Sequence, residues 1–264
     1  MRDIFKEILM KANYHTHTFR CHHGYGCEWE YVENAIAGGM ELLGFADHAP
    51  WPFPNGHFSR MRMLPKDLPG YIDEIARLKQ RYAGQIEIHC GLEAEYYPAL
   101  MPAFEEMLEQ NPGVEYLILG QHYLMNEFDQ PIHTSKPTDD PKMMVQFVDQ
   151  VLEGLETGRY LYLCHPDVMH FTGDPVLYSE QMRRLCRGAK ALGIPLEINL
   201  QGYRAGSHYP ARGFWEIAAE EGCTAIIGTD AHKAKNICDP AEIAVMQSLA
   251  AELGLPLIEE DLLK

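Results

Sequence analysis

Short apolar runs alternate with longer amphipathic stretches along the whole chain. The runs fall at residues 12–14, 42–46, 86–90, 116–119, 160–164, 195–198 and 224–227, each of strand length. Between them, apolar positions recur every three to four residues. In 68–82 the side chains of Leu68, Tyr71, Ile72, Ile75, Leu78 and Tyr82 share one helical face. Similar patterns predict helices near 29–38, 100–110, 141–155, 175–192, 214–221 and 240–253. Leu192-Gly193-Ile194-Pro195 and Glu221-Gly222 end two of them. Seven strands alternating with seven helices predict one βα-repeating α/β domain over residues 1–264 with a parallel sheet. Periodicity does not say whether that sheet closes. Two loops are long: 126–140, and the Pro- and aromatic-rich 50–66, which is expected to form a lid.

Composition narrows the function. The chain has 264 residues, 22 Lys+Arg against 38 Asp+Glu, and a formal charge of −16. That balance excludes a broad nucleic-acid backbone binder, which needs a basic stripe, and an anionic membrane surface as partner. With 46% hydrophobic residues the chain can bury a large core. Seven scattered cysteines without a C-x-x-C pair read as reduced thiols. The first ten residues mix charges with Ile, Phe and Leu, a pattern of neither a signal peptide nor a membrane span, so a cytoplasmic location is expected. Thirteen histidines are the unusual count.

Their placement is not random. Nearly every strand run is followed at once by His, Asp or Glu: His15-Thr16-His17 with His23 further on, Asp47-His48, Glu93, His122, His165-Pro166-Asp167, Glu197-Ile198-Asn199 and Asp230-Ala231-His232. In parallel α/β proteins these strand ends converge on one rim. Residues i and i+2 of an extended segment point the same way, so His15 and His17 can reach one ion, and Asp230 and His232 repeat that spacing. Imidazole with carboxylate suits Zn, Fe or Mn, and Glu93 can bridge two ions. His22 reads as a neighbour of His23. His57, His89, His133, His170 and His208 have no such placement and are assigned to surface, core or lid.

These pieces together resemble the PHP (polymerase and histidinol phosphatase) superfamily, in its histidinol-phosphatase branch. They are His15-Thr16-His17-Thr18, Cys21-His22-His23-Gly24, Gly44-Phe45-Ala46-Asp47-His48-Ala49-Pro50, Gly91-Leu92-Glu93, Gly120-Gln121-His122, His165-Pro166, Glu197-Ile198-Asn199 and Gly228-Thr229-Asp230-Ala231-His232. The resemblance implies a distorted (β/α)7 barrel with up to three divalent ions. One ion would take His15, His17, Glu93 and Asp230. A second would share Glu93 and add His122 and His165. A third would take His23, His48 and His232. It further implies hydrolysis of a small phosphomonoester such as L-histidinol phosphate, placing the chain in histidine biosynthesis. A hydroxide bridging two ions would be the nucleophile, with Glu93, Asp230 and His232 central to catalysis.

Arg204 follows strand six where this family carries a phosphate-binding arginine, and Arg60 and Arg62 in the expected lid are candidates for a second clamp. Three divalent ions against Glu93, Asp230 and one hydroxide leave a local charge of about +3, so the acidic total does not oppose an anionic substrate. Two departures bear on the substrate: 168–172 lacks the arginine common in that branch, and Gln121-His122-Tyr123 is atypical of it. Tyr203, Tyr123 and Trp51 are candidates to shape a different pocket. An amidohydrolase would want an eighth strand and a lysine ligand. A polymerase-associated nuclease would want a basic groove. A metal-binding sensor on a dead barrel would lack ligands, yet all nine positions hold competent residues. The sequence does not specify oligomeric state.

Overall fold

Strand pairing follows chain order. In this computed structural model, which describes residues 10–259 and 261–264, seven parallel strands pair as neighbours. They are β1 (Ala12–Asn13), β2 (Leu42–His48), β3 (Glu87–Ala94), β4 (Tyr116–Leu119), β5 (Tyr160–Leu163), β6 (Leu196–Asn199) and β7 (Ala225–Gly228). The sheet curls until its ends nearly meet. Thr16 and Ala231 form a parallel bridge, and Thr229 N–H donates to Asn13 Oδ1 at 2.9 Å. The result is the expected nearly closed (β/α)7 barrel. The reading of residues 1–9 lies outside the described residues. Among the described residues, no helix is long and apolar enough to cross a membrane.

The helices are α1 (Glu28–Ala37), α2 (Leu68–Arg81), α3 (Met101–Glu109), α4 (Pro141–Glu156), α5 (Pro175–Ala191), α6 (Leu200–Arg204), α7 (Arg212–Glu221) and α8 (Pro240–Leu253). Three begin with an Asp-Pro pair. The carboxylates of Asp140, Asp174 and Asp239 accept backbone N–H groups of the first turn at 2.9–3.0 Å, and proline fits the first helical position. The short α6 escaped the sequence reading because its single turn is too brief for a period. Asn199 caps it through Gly202 N–H at 2.8 Å.

Alternation along the strands divides the core. Leu43, Phe45, Leu92, Leu117, Leu119, Ile198 and Ile227 join the large cluster beneath the helices. Tyr14, Leu42, Ala46, Tyr116, Ile118, Tyr162 and Ile226 form a second cluster inside the barrel. Toward the C-terminal strand ends the inward positions become His48, Glu93, Glu197 and Asn199. The same period of two thus fills the bottom with apolar bulk and the top with metal-type donors.

Segment 50–66, the expected lid, is anchored to the barrel through Trp51 and Arg62. Trp51 is buried, stacks on Phe104 at 4.2 Å and donates its indole N–H to Glu95 at 2.9 Å. Arg62 is buried too. Its guanidinium reaches both Glu95 oxygens at 2.8 and 3.0 Å, Glu127 at 3.0 Å and the Ala49 carbonyl at 3.0 Å.

Candidate metal centre

Beyond β1 the extended chain carries His15 and His17 inward, and their Nε2 atoms lie 3.0 Å apart. Glu93 Oε2 is 3.6 Å from His15 Nε2 and 3.4 Å from His17 Nε2. Asp230 Oδ1 is 3.6 and 3.1 Å from the same two atoms. Ligands bonded at zinc-like distances in a tetrahedron sit roughly 3.4 Å from one another. The other Glu93 oxygen, Oε1, faces His165 Nε2 at 2.8 Å and His122 Nε2 at 3.3 Å. Glu93 therefore stands between two donor groups. A third group brings His23 Nε2 within 3.0 Å of His232 Nε2, with the His48 ring 5.3 Å from that of His23. His48 Nδ1 lies 2.8 Å from Glu93 Oε2. Cys21, absent from the sequence reading of ligands, joins His23 and His232 as a neighbouring donor.

Outer partners orient the rings. His23 Nδ1 meets the Cys21 carbonyl at 2.7 Å, and His232 Nδ1 meets the Asp230 carbonyl at 3.1 Å. A carbonyl only accepts, so both Nδ1 atoms carry the hydrogen and both Nε2 lone pairs face each other. Glu197 does the same for His15 Nδ1 at 2.7 Å, and Glu95 for His122 Nδ1 at 3.1 Å. Opposed lone pairs about 3 Å apart call for a cation between them. The carboxylate oxygens Glu93 Oε2 and Asp230 Oδ1, which face these ring nitrogens, are buried without an aligned hydrogen-bond partner. Donor chemistry, spacing and these orphaned atoms all fit divalent ions.

Charge follows the same logic. Burial pushes the Glu93 carboxyl up, but His122, His48 and His15 outweigh it and hold it well below the usual range. Asp230 is likewise held down by His15, His17 and His232 against its burial. Burial, then His17, pushes His232 down to about 4, which keeps it the neutral imidazole that ligates.

Local backbone makes room for these groups. A Cβ on Gly120 would meet Glu93 Oε1 at 2.0 Å, and one on Gly228 would meet Glu197 Oε1 at 1.8 Å. Only glycine lets the neighbouring strand approach there. His165 and Asp230 hold left-handed φ values of 28° and 44°, a strained backbone of the kind that concentrates at functional sites.

The donors open into a cavity of about 310 Å³. Besides donor residues it is lined by Tyr25, Met61, His133, Gln201, Tyr209 and Lys233. None of Arg60, Arg62 and Arg204, the arginines expected to clamp phosphate, is among its lining residues. Arg62 is committed to Glu95 and Glu127. Arg60 is exposed. Arg204 pairs with Glu242 of α8 through Nε and Nη2 at 2.6–3.1 Å. It touches the site indirectly: Arg204 Nη1 donates to Gln201 Oε1 at 3.0 Å, leaving the Gln201 amide N–H groups to the cavity. Trp51 belongs to the core, and Tyr203 to the outer surface. Tyr123 packs against His133 with ring centres 5.2 Å apart. The roles of Glu95 and of Glu197 toward His15 carry no signal in the sequence, since each partner is far away along the chain.

A seven-stranded βα barrel with clustered imidazoles and carboxylates at its C-terminal strand ends defines a class, the metal-dependent hydrolase barrels. Residues 13–201 match the PHP domain, and the chain belongs to that family. It is 29% identical over 237 residues to a probable histidinol-phosphatase of Deinococcus radiodurans, covering 83% of this chain and 85% of the other. Against the histidinol-phosphatase of Bacillus subtilis the identity is 26% over 260 residues, covering 87% and 96%. The fold superposes with a TM-score of 0.71 on the histidinol phosphate phosphatase of Lactococcus lactis, solved with zinc, L-histidinol and phosphate. That pair is 21% identical, with 94% and 95% of the two chains covered.

Proposed function

We propose that residues 1–264 form a single metal-dependent phosphoesterase domain that hydrolyses a small phosphomonoester, with L-histidinol phosphate as first candidate. The ester and water would give the alcohol and inorganic phosphate. The observation that carries this reading is the Glu93 carboxylate, one oxygen facing His15 and His17 and the other His122 and His165. His15, His17, Glu93 and Asp230 would hold one ion, Glu93, His122 and His165 a second, and His23, His48 and His232 a third, with Zn, Fe or Mn as candidates. Bound there, the ions would supply an acidic water as nucleophile near neutral pH and draw charge from the phosphoryl oxygens. Glu197, Glu95 and the Cys21 and Asp230 carbonyls hold the rings so that Nε2 faces the site. The cavity admits a small ester, and the −16 total supports a compact substrate rather than nucleic acid. Seven unpaired cysteines support the cytoplasmic assignment.

The test is a panel of phosphomonoesters, histidinol phosphate included, against protein loaded with Zn, Mn or Fe. Turnover that a chelator abolishes and metal restores is expected. A protein that retains no transition metal and is inert to the whole panel would overturn the reading. Preference for another ester would keep the chemistry and change the substrate.

A further inference from the structure

Among the cavity-lining residues, His133 has a ring whose hydrogen the surrounding backbone assigns. Its Nδ1 receives the Ser135 backbone N–H at 3.1 Å, and the Ser135 hydroxyl lies 2.8 Å from the same atom. A backbone N–H only donates, so Nδ1 is the acceptor and the neutral ring carries its hydrogen on Nε2. Nε2 has no hydrogen-bond partner among the described residues, and it is not among the fully buried unpartnered atoms. The ring lines the metal cavity, with its centre 5.4 Å from that of His122.

The mount is hydrogen-bonded on both sides although it sits in a long connection. Thr134 N–H donates to the His122 carbonyl at 2.8 Å, and Thr134 Oγ1 donates to the Gln121 carbonyl at 3.0 Å. The Thr134 carbonyl accepts His170 N–H at 2.9 Å. Tyr123 and His133 form an antiparallel bridge. The segment is thereby tied to the connections that follow β4 and β5, which carry His122 and His165. A donor held this way loses little freedom on binding an anion.

We propose that His133 is a substrate-binding residue of the phosphate site, donating Nε2–H to an oxygen of the ester phosphate. The proposal rests on the phosphomonoesterase reading and names a neutral donor where the sequence suggested arginine clamps. A hydrogen bond to a charged oxygen from such a site alters binding by roughly ten- to a hundredfold.

The experiment uses the full chain loaded with zinc and compares wild type, His133→Phe and His133→Gln. Inorganic phosphate binding is measured by calorimetry, KM and kcat on the best panel ester are measured separately, and bound zinc is counted. Phe keeps the ring volume without a donor, whereas the Gln amide can place an N–H near Nε2. Expected are wild-type zinc content in both variants, about tenfold or greater weakening of phosphate binding in His133→Phe, and substantial recovery in His133→Gln. Imidazole 15N shifts should show Nδ1 unprotonated and Nε2 protonated in the neutral ring. Equal phosphate affinity and KM in wild type and His133→Phe would overturn the proposal alone, as would a hydrogen on Nδ1. Loss of zinc or fold in His133→Phe that His133→Gln shares would also overturn it, since the role would then be structural. If wild type itself neither binds phosphate nor turns over any ester, the phosphomonoesterase reading falls first and this one with it.

Discussion

Glu93 lies within 3.6 Å of five imidazoles, those of His15, His17, His48, His122 and His165. A neutral amide of the same shape would leave those rings without their shared negative partner. Glu93→Gln should therefore lower metal affinity by about 10- to 100-fold, with a larger loss of turnover. Metal counting after dialysis checks the first part, and undiminished metal content would contradict it. Arg62 makes the opposite case, a cation expected at the substrate and found in the core. With Glu95 and Glu127 it forms a buried pair whose disruption leaves carboxylates uncompensated. Arg62→Ala should cost about 3–5 kcal/mol in urea unfolding. A loss below 1 kcal/mol accompanied by a raised KM would restore the clamp role.

At the scale of elements, the strand ends present the donors and the connections tune them. Glu115, just before β4, ties three elements together. It accepts from Lys79 of α2, from His89 of β3 and from Cys90 N–H at 3.2 Å. Burial pushes its carboxyl up, but these donors outweigh burial and hold it at about 2, against 4.5 for a free glutamate. A depressed folded value contributes stability above the unfolded value, and the contribution fades as pH falls from 4.5 toward 2. Partial exposure screens the pair, so about 1 kcal/mol is expected. Glu115→Gln should be less stable than wild type by that amount at pH 6, with the gap shrinking by pH 3. An equal gap at both would contradict this. The strands and the helices other than the short α6 were legible because their apolar positions recur with a clear period. The docking of 50–66 was not, because its anchors Glu95 and Glu127 lie far along the chain and an arginine in a Pro-rich stretch reads as a solvated charge.

For the whole molecule, clustering so many donors at one rim has a thermodynamic consequence. Opposed lone pairs and neighbouring carboxylates favour the folded state only when cations lie among them, and binding to the folded state stabilises it by mass action. Free zinc about 100-fold above its dissociation constant should contribute about 2.7 kcal/mol from one site, or a rise in Tm of roughly 5–10 °C. Thermal melts with and without chelator measure it, and coincident melts would show that the folded rim has no preference for the ions. Ions bound at that rim would also supply the local positive charge that reconciles an acidic chain with an anionic substrate.

The sequence by itself determined the repeat of strands and helices, the strand-end donors and the family, because periodicity and i, i+2 spacing are local properties. It also marked Gly120 and Gly228 within motifs, without showing the Glu93 and Glu197 oxygens for which they leave space. Tertiary structure decided which histidines face one another, which carboxylates hold their Nδ1 atoms and which cations reach the cavity. It withdrew Arg62 and Arg204 into pairs with Glu95 and Glu242, and it brought His133 from an unassigned loop to the cavity wall. Those outcomes depend on partners tens to hundreds of residues apart, brought together only when the barrel nearly closes.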